Sequence, residues 1–428
     1  MGYSQTIPAR HEVAPGVVLL TLPETRFKRA RVSLLADLPL DDGRAARSLL
    51  LDVLEQGSAR HPGRVAVARA EQEAYGARVA LGRGSAMERH RLRLGVEVVG
   101  GRFLPPGEEV LGPALDLAGG LVAAPWRGED GSLFREELVE RERKLLLQRI
   151  RERIDHRSEW AEERFLHHLC ADEPLGLLSW DSEEAVEAVD MAQLEAERRR
   201  ILEEAVVLVL AVGPLDESVL LPWLKKLFPA DRKPWQPPAQ ELRQAGELRE
   251  VREELALDQA QFHLGMRFTP PADAAGRAAL HLANTVYGGG VQGRLFRIVR
   301  EEKSLAYGIG SMLRPMKGLL TVAAGIDASA ADDVQEAVLE QQADLAAQGP
   351  SVEELDTARL HSLDRLAAVG DDAGRLGAFH QREFHRGTFL TPAQWAEHLE
   401  AVGPAEVAAA AADWQPDLRY LLAPEGSA

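Results

Sequence analysis

Cysteine is all but missing. Cys170 is the only one in 428 residues, so no intrachain disulfide can form. It sits in the apolar-patterned run FLHHLC, the setting of a buried thiol. Long hydrophobic runs are missing too. No stretch of roughly 18 apolar residues occurs, so no membrane span is expected. The opening MGYSQTIPARHEVAPG has no apolar h-region, and the expected location is the cytoplasm. Basic charge is scarce: 50 Lys and Arg stand against 67 Asp and Glu, a net charge of −17. That disfavours sequence-independent binding to nucleic acid, which needs a basic surface. The common catalytic signatures are absent as well. There is no G-x-S-x-G elbow, no P-loop and no G-x-G-x-x-G following a strand. Gly288, Gly289 and Gly290 precede a helix, but no strand leads into them and no Lys-Ser/Thr follows, so they read as a turn. The 12 histidines form no ligand cluster. His380 and His385 lie five apart, or ~140° around a helix, and do not converge. His167 and His168 point to different helix faces.

What is present is an ordinary globular composition, 45% apolar and 27% charged, on a chain long enough for two or more domains. Residues 16–22, 30–38, 87–99 and 205–212 read as strands. Helices are expected from Asp41 to Gln56, over 64–75 and 108–124, and from a Ser132 cap as far as Cys170, with a bend. Asp190 and Gln193 suggest a capping box. Proline then crowds residues 221–240, the best linker candidate. Beyond it the element order restarts. A strand at 262–268 and a helix at 274–287 are followed by a helix–hairpin unit over 288–327. Helices come next at 331–347, 352–386 (interrupted near Gly370 and Gly377) and 392–412, then a closing strand at 418–422. The predicted division is 1–220, a linker at 221–245, and 246–428. Each half is an α+β unit, and the order is not the regular βαβα of a parallel Rossmann sheet.

The words GRLFRIVREEKSLAY, residues 293–307, resemble the C-terminal half-domain of insulinase/pitrilysin-type zinc peptidases, the inverted zincins. The resemblance implies that Arg300 and Tyr307, seven apart as in that family, bind substrate backbone beside a zinc. Gly293 departs from the pattern, standing where a Ser usually precedes Arg-Leu-Phe. The resemblance also implies a fold like that of mitochondrial processing peptidase: two tandem homologous half-domains, each an antiparallel-rich sheet flanked by helices.

The family's metal motif, H-x-x-E-H on a helix of the first half-domain, puts two His four apart on one face with the general-base Glu between. Here the corresponding words are 47–58, RSLLLDVLEQGS. Aligning Gly57-Ser58 with the Gly-Thr that closes the family pattern places Ser48 and Asp52 at the His positions and Leu51 at the base position. The third ligand, a Glu seven residues after a helical Glu, corresponds to Arg149 after Glu142. Ser is a poor zinc ligand, Leu takes no proton, and a cation beside zinc is electrostatically wrong. No zinc is expected in this chain.

The resemblance therefore implies a non-catalytic subunit of a two-chain peptidase. Its partner would be a zinc-bearing H-x-x-E-H sister chain, or a second copy of itself in a homodimer. Arg300 and Tyr307 would complete the partner's site and contact a peptide substrate. The alternative is a scaffold protein of the same fold with no peptidase partner, in which the Arg–Tyr pair only holds helix to hairpin.

Overall fold

The computed structural model describes residues 3–86, 88–177, 181–238 and 241–427. Its architecture is α+β, with two sheets flanked by helices. The first sheet is built from β1 (Ala9–Ala14), β2 (Val17–Leu22), β3 (Arg29–Pro39), β4 (Arg78–Ala86), β5 (Arg89–Val99) and β6 (Val206–Val212), in the order β1-β2-β6-β3-β5-β4. The second contains β7 (Arg249–Leu255), β8 (Ala260–Arg267), β9 (Gly308–Arg314), β10 (Leu319–Ile326) and β11 (Gln415–Pro424), in the order β7-β11-β8-β10-β9. Apart from the additional edge strand β1, the two sheets share one topology. The last strand of each runs parallel to the first of the shared set and antiparallel to the next, β6 with β2 and β3, β11 with β7 and β8. The remaining pairs, β3–β5–β4 and β8–β10–β9, are antiparallel.

Alternation explains which side of each sheet is core. On β5, Leu92, Leu94, Val96 and Val98 are buried together with the helices Arg44–Leu54 and Leu111–Ala123. On β8, Phe262, Leu264 and Met266 do the same with the helix Ala274–Tyr287. The closing strand β6 is apolar on both faces, and β11 is buried on both faces from Tyr420 to Ala423, because both faces are covered. What covers the second face comes from the other half. The helix Arg157–Leu169, which follows the first sheet's long helix Glu136–Glu152, lays Ala161, Phe165 and Leu169 on Leu319, Leu418, Tyr420 and Leu422 of the second sheet. It comes close over Gly265, where a Cβ would stand 2.8 Å from Leu169 Cδ1 and 3.0 Å from Phe165 Cζ, so any side chain there would push these two aside. In return the helix Ala373–His385 sets Leu376 against Leu22 and Val212, and Phe384 against Leu20, Leu35, Leu208 and Leu210, on the first sheet. The halves thus exchange helices.

Several expectations are corrected. The helix awaited over 132–170 is two, parted at Arg153–Asp155, because the second piece must turn to reach the other sheet. Ser132 does not cap it; its hydroxyl donates to Asp130 Oδ1 at 2.6 Å. Gly377 does not interrupt a helix but lies inside Ala373–His385, at Val212. Met87, the expected start of β5, and Gln240, the expected end of the proline-rich run, lie outside the described residues. Leu221–Leu227 are not spacer but the end of the helix Glu217–Leu227. The chain then keeps to the first half through Trp235, whose N–H donates to Glu204 O at 2.7 Å. Buried Arg232 fastens it there, donating to the carbonyls of Pro15, Leu202 and Ala205. The capping box at Asp190 and Gln193 is present.

A buried ion network ties the exchange. Arg267 donates to Asp417 at 2.6 Å and to Glu173 at 2.8 Å, and Lys317 pairs with the same Glu173 at 2.8 Å and with Glu88. Glu173 comes from the first half, and both its cations come from the second. Glu173→Ala leaves two buried cations short of a counter-charge, which costs about 3–5 kcal/mol. Urea unfolding reads this as a lower midpoint, while Glu183→Ala, at an exposed pair with Arg151, leaves the midpoint in place.

Candidate functional site

The helix Arg44–Leu54 is buried along nearly its whole length, an unusual place for charge. Arg47 has no exposed surface and is satisfied throughout: Nε donates to His90 Nδ1 at 3.1 Å, and the two Nη atoms donate to Glu197, Pro39 O and Asp41, each at 2.8 Å. This clamp fixes the helix against β5 and the helix Met191–Glu203. One residue further on, Ser48 is buried, and its carbonyl accepts from Arg83 at 3.1 Å. Leu51 is part of the apolar core. Asp52 turns toward a cleft of about 600 Å³ that Leu51, Glu55, Arg83, His90 and Arg149 also line.

In that cleft Asp52 is held between two guanidiniums. Arg83 on β4 donates to both its oxygens, at 2.9 and 3.3 Å, and Arg149 from the helix Glu136–Glu152 donates to Oδ2. The structure thus brings Asp52 and Arg149 together although 97 residues separate them. Ser48 and Leu51 lie on the same helix but present neither a free ligand nor a base. Glu142 is buried and bonded to Arg141 at 2.8 Å. These residues do not fit a zinc ion. The one carboxylate is already shared by two cations, and both stand close to where the metal charge would have to be. Among the described residues no group of three or more His, Cys, Asp or Glu is placed to hold a metal. Arg83 escaped the sequence reading: a lone Arg in Gly82-Arg83-Gly84 carries no pattern of its own.

The histidine pair nearest to a metal motif lies elsewhere. His380 is buried with neither ring nitrogen bonded, and His385 meets Arg91 at 2.8 Å. Burial pushes both down to about 4, so they are neutral at physiological pH.

Arg300 and Tyr307 form the second constellation. The helix expected within the helix–hairpin unit over 288–327 is a π-helix, Leu295–Glu302, closed by Lys303 N–H reaching back to Ile298 O at 2.9 Å. Such wide turns are rare and frequent at functional positions. Buried Arg294 anchors its start, donating to Glu354, Asp344 and Gly349 O. At its end the Arg300 guanidinium lies 4.4 Å from the centre of the Phe296 ring, and its Nε donates to Tyr307 O at 3.0 Å. Tyr307 precedes β9 rather than belonging to the strand, and it is 62% exposed. Its hydroxyl donates to Asp327 Oδ1 at 3.0 Å, and that bond raises its pKa. Both side chains face solvent, and Arg300 keeps N–H groups for a further partner. Asp327 and Phe296, which set this geometry, carried no separate signal in the sequence.

Comparison with known proteins points to one family. The family model described as Peptidase M16 inactive domain matches residues 191–360. The Bacillus subtilis protein named probable inactive metalloprotease YmfF is 25% identical over 346 residues, which is 80% of this chain and 79% of that protein. An uncharacterized zinc protease of Streptomyces coelicolor is 28% identical over 66% of this chain and 64% of its own length. A conserved protein from Enterococcus faecalis V583 superposes with a TM-score of 0.86 at 23% identity, covering 99% of this chain and 100% of the other. A peptidase M16 inactive domain from Pseudomonas fluorescens gives 0.78 at 19%, covering 98% and 99%. Those two structures share the fold; the sequence matches and the altered metal positions carry the rest. Together these matches support an inactive member of the insulinase-type peptidase family, peptidase M16, with residues 191–360 carrying the family-model match.

Proposed function

We propose that this chain is the non-catalytic subunit of a two-chain zinc peptidase and completes the active site of a zinc-bearing sister chain. One observation carries the reading. The metal positions of the first half are converted into an Asp52–Arg83–Arg149 ion cluster, while Arg300 and Tyr307 remain exposed on a π-helix and the turn that follows it. A chain that has lost its metal has no use of its own for that exposed pair. Set against a partner's zinc, Arg300 donates to peptide carbonyls, and the Tyr307 hydroxyl donates toward the oxyanion that forms at the scissile bond. The zinc belongs to the partner alone. A heterodimer fits better than a homodimer, since two copies of this chain hold no metal between them. The cytoplasm is the expected compartment for a chain whose only cysteine is buried and unpaired. Among the described residues no helix is long and apolar enough to cross a membrane.

The scaffold reading draws on the internal contacts of the pair, Arg300 over Phe296 and Tyr307 on Asp327, which need no substrate. A pull-down of the tagged chain from native extract separates the two. Recovery of an H-x-x-E-H chain with about one zinc per pair and chelator-sensitive peptidase activity supports the subunit. Recovery of a membrane complex with no zinc supports the scaffold.

A further inference from the structure

We propose that the cleft over the altered metal positions is an anion-binding site that takes a peptide carboxylate, in the first instance the C-terminal carboxylate of a bound chain. The inference rests on the peptide-binding role proposed above and assigns this cleft a task within it. Three observations carry it. First, donors outnumber acceptors. Three guanidiniums, of Arg83, Arg149 and Arg153, line the cleft against the carboxyl groups of Asp52 and Glu55, and Asp52 is shared by the first two. The Arg149 side chain remains 51% exposed, with only one of its N–H groups on Asp52, so the edge that pairs with a planar anion is open. Second, a buried donor stands in the same wall. His90 is 4% exposed, and its Nδ1 must accept, because the Arg47 Nε facing it only donates. The ring hydrogen therefore sits on Nε2, and no described residue accepts it. The cations around His90, namely Arg47, Arg44 and Arg83, together with burial keep the ring neutral, so this tautomer persists at physiological pH. Third, there is room. Gly82 and Gly84 flank Arg83 on the cleft wall, and a Cβ built on either would meet nothing within 4 Å.

The chemistry is that of carboxylate recognition: a planar fork from Arg149, a second guanidinium behind it and one neutral N–H donor. The carboxyl group of Glu55 borders the same cleft. It accepts from Leu81 N–H at 3.2 Å and faces Arg64 at 3.9 Å, so its charge is engaged on the far side from Arg149. In a protein of net charge −17, a donor-rich cleft of this size stands out from its surroundings.

The test uses three N-acetylated hexapeptides of one neutral sequence: the free acid, the C-terminal amide, and the amide carrying one internal glutamate. Each is titrated into the full chain by calorimetry at low salt. The free acid binding at least ~10-fold tighter than the amide supports the site. The glutamate amide binding as well as the free acid also supports it and assigns the carboxylate to a side chain. All three binding alike overturns it. Arg149→Gln, a half-exposed change that leaves Arg83 on Asp52, is expected to bring acid and amide within about twofold of each other with an unchanged melting temperature. A preference for the acid that survives this variant overturns the assignment. Activation of the zinc-bearing partner, measured on the same preparations, reads the subunit role separately, so a failed cleft and a failed subunit are told apart.

Discussion

Tyr307→Phe lowers kcat of the reconstituted two-chain peptidase about 100-fold or more and leaves the melting temperature and the pairing of the chains as they were. The ring is kept, so the apolar contacts of the turn persist, and only the hydroxyl is lost. In the free chain that hydroxyl donates to Asp327 across an exposed surface, where a hydrogen bond adds little to folding. In the proposed complex the hydroxyl would be a donor aimed at developing negative charge, and removal of one such donor elsewhere costs roughly 10²–10³ in kcat. The loss falls on kcat rather than KM because the interaction forms in the transition state. Arg300→Ala is expected to raise KM, since its N–H groups would hold the peptide backbone. Wild-type turnover in Tyr307→Phe, with Arg300→Ala acting only on stability, would make the pair a scaffold feature.

Acidification is expected to unfold the chain before most carboxylates titrate. Five histidines are held far below their ordinary value, chiefly by burial: His90 and His263 at about 3, and His281, His380 and His385 at about 4. A group whose pKa is depressed by folding is neutral in the native chain and charged in the unfolded one below about 6.5. The unfolded state then binds more protons, so the stability these sites contribute is complete above pH 6.5 and falls as the pH drops toward 4. Each accounts for about 1.4 kcal/mol per pH unit in that window, so five together consume a typical margin of 5–15 kcal/mol within one to two units. Two of them, His263 under Phe165 and His385 on Arg91, lie where the exchanged helices cross. The acid transition should therefore release these helices and expose the far faces of both sheets. His380→Leu isolates one site. Its ring nitrogens have no partner, so an apolar side chain of similar size is expected to raise the melting temperature and flatten the pH dependence by one site's share. A stability curve flat between pH 6.5 and 4.5 would contradict this account.

The duplication was legible in the chain because the strands-then-helices order restarts after the proline-rich run and each half ends on a closing strand, over 205–212 and 418–422. Three edge strands were not. β7 is mostly charged, the centre of β1 is Arg10-His11-Glu12, and β4 carries Gly82 and Gly84, so none shows the alternation of a half-buried strand. The helix exchange was invisible for a different reason. The apolar stripe of Arg157–Leu169 announces burial but not against which sheet, and that choice depends on Gly265, about 100 residues away. At the metal positions, motif spacing named Asp52 and Arg149, which the structure places in contact. The second guanidinium, from Arg83, follows from the pairing of β4 with β5, which no local pattern encodes.

The central claim is that this chain holds no catalytic metal of its own and works through a partner's. Its most direct test is metal analysis of the purified chain after incubation with zinc and gel filtration, alongside peptide cleavage with and without chelator. The account predicts substoichiometric zinc and no chelator-sensitive cleavage by the chain alone, with activity appearing when a zinc-bearing sister chain is added. About one tightly held zinc per chain, with cleavage that a chelator abolishes, would contradict it.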